Sequence, residues 1–270
     1  MHILIATNGS PEADLAVQLG REIEQMVGGS ITVLTVIRQP DERAQAEAIL
    51  LRAKTLLPPT ADVHTQIRIG QVAEEIVNAA HINQPQLIIM GEQPPHGLIR
   101  RLLAPTAEKV ILRMPGPVLL ARGAVRPLRR VLLCESGREP SLLNRLINQL
   151  SSLLRKVDEL TALHVMSQIA AAPGVPGWEL RASADELIQR HTIEGSLLEA
   201  DLARLARLNV QLKAKVRHGL VVREILDEMQ TGDYDLVVIG AHQSKGWERF
   251  LLDDLARELI YHADRPLLVV

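Results

Sequence analysis

The chain has 270 residues, a length that suits two domains of about 100–150 residues each. Apolar residues make up 47% and charged residues 23%, and no uninterrupted apolar run approaches the roughly 18 residues of a membrane span, which argues against both disorder and a transmembrane helix. Thirty basic against 32 acidic side chains leave a formal charge of -2, so no global electrostatic case exists for nucleic acid or an anionic membrane, and any anion site must be local.

Along the first half, short aliphatic runs alternate with segments of helical period. Residues 2–7, 30–37, 62–69, 86–91 and 117–121 predict strands; residues 11–27, 41–57, 71–82 and 99–113 predict helices. Runs such as Leu87–Met90 are apolar at consecutive positions, as expected of parallel strands covered by helices on both faces. Arg122-Gly123-Ala124-Val125-Arg126-Pro127 then reads as a short linker.

The second half repeats the first. Ile3-Leu4-Ile5-Ala6-Thr7-Asn8-Gly9-Ser10 is echoed by Val131-Leu132-Leu133-Cys134-Glu135-Ser136-Gly137-Arg138, and Leu34-Thr35-Val36-Ile37 by Leu163-His164-Val165-Met166. Gly70–Ile76 matches Gly219–Ile225, Leu87–Gly91 matches Leu236–Gly240, and Gly116–Leu120 parallels Arg265–Val269. The spacing between equivalents widens from about 128 to about 149 residues, so some 20 extra residues entered the second copy. They fall near 167–208, with Pro173-Gly174-Val175-Pro176-Gly177-Trp178 followed by a long helical pattern from Ala184 to Leu208. The predicted fold is α/β: two tandem, doubly wound, five-stranded parallel sheets, in which ligands bind beyond the carboxyl ends of the strands. The expected domains are 1–122 and 128–270.

One cysteine, Cys134, excludes an internal disulfide, and Met1 leads directly into an apolar strand; the expected compartment is the cytoplasm. The five aromatics are Trp178, Tyr234, Trp247, Phe250 and Tyr261, too few to build stacking platforms for single-stranded nucleic acid. Ser10 and Ser244-Lys245 lie in neither a Gly-x-Ser-x-Gly elbow nor a Gly-x4-Gly-Lys-Ser/Thr loop, so catalysis has little support. His164, His218 and His242 lie near strand ends of the second copy, but no close ligand pair accompanies them and no metal is expected.

The first strand with its Asn8-Gly9-Ser10-Pro11 turn, the fourth strand ending in glycine, the Gly-x5-Gly loops and the terminal Pro-Val-Leu-Leu and Pro-Leu-Leu-Val strands together resemble the universal stress protein family, as two tandem copies across the whole chain. That resemblance implies the adenine nucleotide alpha hydrolase-like sheet in the order 3-2-1-4-5, with domains paired through their last strands, here 117–121 and 266–270. In members that have a nucleotide site, it implies an Asp after strand one and a phosphate loop Gly-x2-Gly-x9-Gly-Ser/Thr after strand four.

Both copies depart from that pattern. The first keeps Gly91 and Gly97 but carries Pro94 and Ala104-Pro105 at the other motif positions, with Thr106 one residue out of register. The prolines lack the N–H that a phosphate would use. The second keeps Gly240 and Gly246 but places Gln243 and Asp253-Asp254 in the loop, where each carboxylate at about 5 Å would repel a phosphate charge by on the order of 3 kcal/mol. Asn8 and Ser136 replace the family Asp. Arg100 and Arg101 could clamp an anion in the first copy, as could Lys245 and Arg249 in the second.

The resulting expectation is a non-catalytic stress-response module, regulatory or protective, with degenerate phosphate loops and no assured cofactor. One alternative is an ATP-binding switch or slow ATPase built on Asn8, Gly91, Gly97, Arg100 and Thr106, with Gly240 and Gly246 as the second-copy counterparts. Another is a protein-interaction adaptor working through the inserted segment. Intramolecular pairing of the domains is the expected assembly, compatible with a further homodimer and an unidentified protein partner; neither nucleic acid nor membrane is an expected partner.

Overall fold

The consecutive apolar runs become strands sealed on both faces: Ile3, Leu4 and Ile5, then Ile31, Val33 and Leu34, then Leu87, Ile88 and Ile89 are all essentially inaccessible to water. The computed structural model describes residues 1–91, 106–114, 116–135, 142–166, 178–240 and 254–270. The first repeat supplies β1 (His2–Ala6), β2 (Ser30–Ile37), β3 (Asp62–Ile69), β4 (Leu87–Gly91) and β5 (Val118–Ala121). The second supplies β6 (Arg130–Cys134), β7 (Glu159–Met166), β8 (Gln211–His218), β9 (Leu236–Ile239) and β10 (Leu267–Val269). Between them run α1 (Pro11–Val27), α2 (Arg43–Leu56), α3 (Val72–Asn83), α4 (Thr106–Arg113), α5 (Leu142–Leu154), α6 (Ala184–Gln189), α7 (Ile193–Leu205), α8 (Val221–Thr231) and α9 (Asp254–His262).

By their internal contacts, residues 1–127 with 241–270 form one unit and residues 128–240 the other. In the first unit the strand order is β3-β2-β1-β4-β5, all parallel, and β10 joins β5 in antiparallel register with Val118 opposite Val269. In the second, the parallel order is β8-β7-β6-β9. The chain's last strand therefore completes the sheet of the first unit.

One residue read as linker has another job there. Arg122 is only 3% exposed, and its guanidinium donates to the Ile260 carbonyl and, at 3.3 Å, to that of Ala263. These are carbonyls at the end of α9 that the helix itself leaves without donors, so a buried cation caps the helix at its negative pole. Arg257 on α9 reaches back to the buried Glu108 of α4 at 3.0 Å.

The repeat extends to side chains. In the first unit Arg68 bonds Glu75 at 2.5 Å around Gly70; in the second Arg217 bonds Glu224 at 2.9 Å around Gly219. Each pair ties the end of the third strand to the first turn of the following helix. The Arg68 bond, outweighing burial, holds the Glu75 carboxyl below its ordinary range.

The long helical pattern of the second copy is two helices. Ser183 and Glu186 form a reciprocal capping box that starts α6, and Thr192 accepts from the Gly195 N–H at 3.0 Å to start α7. His191, at φ 51, turns the chain between them. By its place between the second and third strands of its repeat, α7 is the counterpart of α2.

Candidate functional site

The predicted binding region lies at the carboxyl ends of the central strands. In the first unit the chain leaving β1 is fixed by its own polar side chains. Buried Thr7 donates its N–H to Leu34 at 2.9 Å, accepts from Thr35 Oγ1 on its carbonyl at 3.0 Å, and accepts the Gly9 N–H on Oγ1 at 3.2 Å. Asn8 Oδ1 accepts from the Ser10 N–H at 3.0 Å, and Ser10 Oγ accepts from Ala13 to cap α1. Gly9 sits at φ +76, with the Ile49 side chain of α2 directly over it. An ion pair from Arg52 to Asp14 further joins α2 to α1.

Gly91 ends β4, one residue past the register pair Ala6↔Met90, so it and the Asn8 turn share one strand end. A Cβ at Gly91 would stand 2.0 Å from the Glu12 carbonyl of α1, so helix packing alone requires the glycine. Thr106 opens α4, which packs on α3 and β5. The structure thus brings Asn8 and Gly91 together. Pro94, Gly97, Arg100, Arg101, Ala104 and Pro105 lie outside the described residues, as do Ser136, His242, Gln243, Lys245, Gly246, Trp247, Arg249, Phe250 and Asp253.

The equivalent region of the second unit is built differently. Glu135, past β6, donates its N–H to Leu163 at 3.1 Å and accepts the Leu143 N–H on Oε2 at 3.2 Å, which anchors the start of α5. Beside it lies a cavity of about 10 Å³ lined by Leu133, Leu143, Leu146 and the buried Asp201 of α7, space for one water molecule. Asp201 is paired with Arg204 at 3.2 Å. At Gly240 the neighbour is not helix backbone but Arg145, whose Nη2 lies 3.3 Å from where a Cβ would stand. Burial lowers the guanidinium pKa of Arg145 against the opposing pull of Glu135.

Burial, with Glu228 and Glu135 nearby, pushes the Cys134 thiol well up, so it is neither a thiolate nucleophile nor a ready metal ligand at neutral pH. Burial also lowers the pKa of His164 against the Glu135 carbonyl and the carboxylates of Glu194 and Glu135. His218 makes a 2.9 Å bond from Nε2 to the Ala182 carbonyl. Among the described residues no three His, Cys, Asp or Glu side chains converge on a metal-sized site, and no helix is long and apolar enough to cross a membrane. Sequence reasoning passed over Arg145 and Asp201, since an arginine or aspartate inside an amphipathic helix gives no signal that it turns inward.

The model of the universal stress protein family matches residues 1–122 and again residues 128–270. The chain belongs to that family, in its tandem form. A universal stress protein of Mycolicibacterium smegmatis is 22% identical over 99% of this chain and 96% of its own length. The crystal structure of a universal stress protein from Archaeoglobus fulgidus superposes with a TM-score of 0.74 at 17% identity, covering 99% of this chain and 95% of that one. A Pseudomonas aeruginosa protein of unknown function follows at 0.70 and 17%, covering 100% and 92%. These structural likenesses carry the fold, while the family rests on the two sequence matches.

Proposed function

We propose that this universal stress protein is a non-catalytic regulatory or protective module that does not hold a nucleoside triphosphate in the family's pose. The observation that carries this reading is the replacement of the phosphate-loop positions, by Pro94 and Ala104-Pro105 in the first copy and by Gln243 and Asp253-Asp254 in the second. A triphosphate in the second loop would meet the carboxylates of Asp253 and Asp254, which repel its charge. In the first unit Gly91 answers to the packing of α1, and the Asn8 carbonyl oxygen is engaged in its own turn. Isothermal titration of the purified chain with ATP and with AMP tests the reading: no heat at ligand concentrations up to the millimolar range is expected, and micromolar ATP binding overturns it.

A specific observation favours a second, compatible reading as an adaptor working through the inserted segment. Ile193 is 79% exposed and Leu197, one turn on, 38%, while Trp178 is stacked on the Arg190 guanidinium at 4.0 Å. Leu198 and Leu205 of the same helix are buried, so deleting the segment would damage the second unit itself. Ile193→Asp with Leu197→Asp is the cleaner test: partners captured by the wild-type chain are lost with the melting temperature held, and an unchanged set of partners refutes the adaptor.

A further inference from the structure

The inserted segment is fastened to the second sheet by a histidine whose bonding depends on a proton. His218 ends β8, and its Nε2 lies 2.9 Å from the Ala182 carbonyl oxygen, between the 3-10 turn of residues 179–181 and α6. A carbonyl only accepts, so Nε2 carries the hydrogen and, in the neutral ring, Nδ1 is a bare lone pair. That Nδ1 is buried and has no hydrogen-bond partner among the described residues. The parallel register Met166↔His218 places His164, two residues back on β7, on the same face of the sheet, near enough for two charged rings to repel.

Among the described residues, the charged groups near the pair are engaged elsewhere or act on His164. From β6 and α7, the carboxylates of Glu135 and Glu194 act on His164. At the start of α6, Glu186 accepts from the Ser183 N–H at 2.8 Å; in the first turn of α8, Glu224 is held by Arg217 at 2.9 Å. None of them receives a hydrogen bond from His218 Nδ1.

We propose that His218, with His164 beside it, is a pH-sensitive clasp that holds residues 178–192 against the end of the second sheet at neutral pH and loosens as the rings take up protons. A proton from solvent on Nδ1 makes a cationic N–H donor facing no acceptor among the described residues, a buried group that must reach water. The ring can satisfy it only by turning outward, which breaks the bond to Ala182. A charge on His164 adds repulsion in the same direction. What is released is the turn carrying Trp178 and Arg190 together with α6, whatever the surface of that segment contacts.

Hydrogen exchange of the full chain, with amide rates corrected for intrinsic pH dependence, tests this at pH 7.5 and 5.5. Protection of residues 178–192 is lost on going to the lower pH in the wild type. His218→Gln keeps an amide N–H donor near the place of Nε2 but cannot titrate, so its protection falls less than the wild type's, by the contribution of His164 alone. Unchanged protection in the wild type, or the wild-type response surviving in His218→Gln, overturns the clasp. Should the variant not fold, imidazole nitrogen shifts of the wild type decide. An Nε2–H tautomer that gains its second proton between these pH values as the 178–192 signals broaden supports the clasp; an Nδ1–H tautomer refutes it.

Discussion

Glu228 on α8 is fully buried, and replacing it by alanine should cost the second unit about 3 kcal/mol. Its carboxylate accepts from Lys215 Nζ at 2.8 Å, Arg217 Nε at 2.7 Å and the Tyr234 hydroxyl at 2.7 Å. Burial works to raise its pKa, but the bonds from Lys215, Tyr234 and Arg217 prevail and hold it below the usual 4.5. Loss of one partner of a buried pair costs about 3–5 kcal/mol when the remaining charge stays buried. Here Lys215 is 46% exposed and can turn to water, and Arg217 retains Glu224, so that range must be discounted. The Tyr234 hydroxyl is buried and loses its bond to Glu228 while Thr161 stays beside it, a cost of about 1–3 kcal/mol, and the truncated side chain leaves a small void.

For a unit of about 110 residues unfolding alone, 3 kcal/mol lowers Tm by roughly 12 °C; for the whole chain unfolding as one, by roughly 5 °C. Calorimetry at pH 7 distinguishes the two. Because the folded pKa is depressed, the stabilisation is present in full above pH 4.5 and fades as pH falls through the folded value, so wild type and Glu228→Ala should converge in acid. A variant melting within 1 °C of the wild type at pH 7 would refute the claim that this carboxylate holds the β8–α8 layer together.

The two phosphate-loop glycines should respond unequally. Gly91→Ala forces a methyl to within 2.0 Å of the Glu12 carbonyl and should cost more than about 2 kcal/mol, whereas Gly240→Ala meets, among the described residues, the end of Arg145 and the Leu142 side chain and should cost under about 1 kcal/mol by urea titration; equal costs would contradict the different packing of α1 and α5. Arg122→Met removes the buried cap of α9, a loss of about 1.5–3 kcal/mol read as faster hydrogen exchange across residues 254–270, and unaltered exchange there would count against the capping role. His164, with a folded pKa below the usual 6.5, contributes stability in full above that pH and loses it as the pH drops toward the folded value, so urea midpoints should fall between pH 7 and 5 in the wild type and less so in His164→Asn.

The scaffold was legible because it is written in patterns with a physical period. Uninterrupted aliphatic runs mean strands covered on both faces, and the strand at 30–37 occupies the predicted range with most of its residues buried; the strand at 62–69 also falls in its predicted range, although its residues are mostly polar and none is buried. Ser10-Pro11 followed by Glu12 and Asp14 marks the start of α1 for the same reason it stabilises it: a side-chain acceptor, a pre-set φ and negative charge at the positive pole. Polar residues that turn inward were not legible. Arg122 reads as linker because an arginine beside a glycine is commonplace outside a core; only the three-dimensional course of the chain shows the end of α9, more than a hundred residues away in sequence, arriving at its guanidinium.

Similar reasoning explains why glycine was an ambiguous guide to the site. Gly91 and Gly240 occupy equivalent positions in the two repeats, and both satisfy the phosphate-loop pattern at its first position. Yet one is held small by a helix backbone and the other faces a guanidinium. A motif records which residue survived at a position and is silent about which neighbour required it. The divergence of the copies is therefore easier to see in what surrounds the glycines than in the glycines themselves. Ala79 of α3 is fully buried, and its counterpart in α8 is Glu228, with three donors gathered around its carboxylate. A unit rebuilt in this way has turned an interior position toward ion pairing, at the cost of burying a carboxylate that only its gathered donors make tolerable.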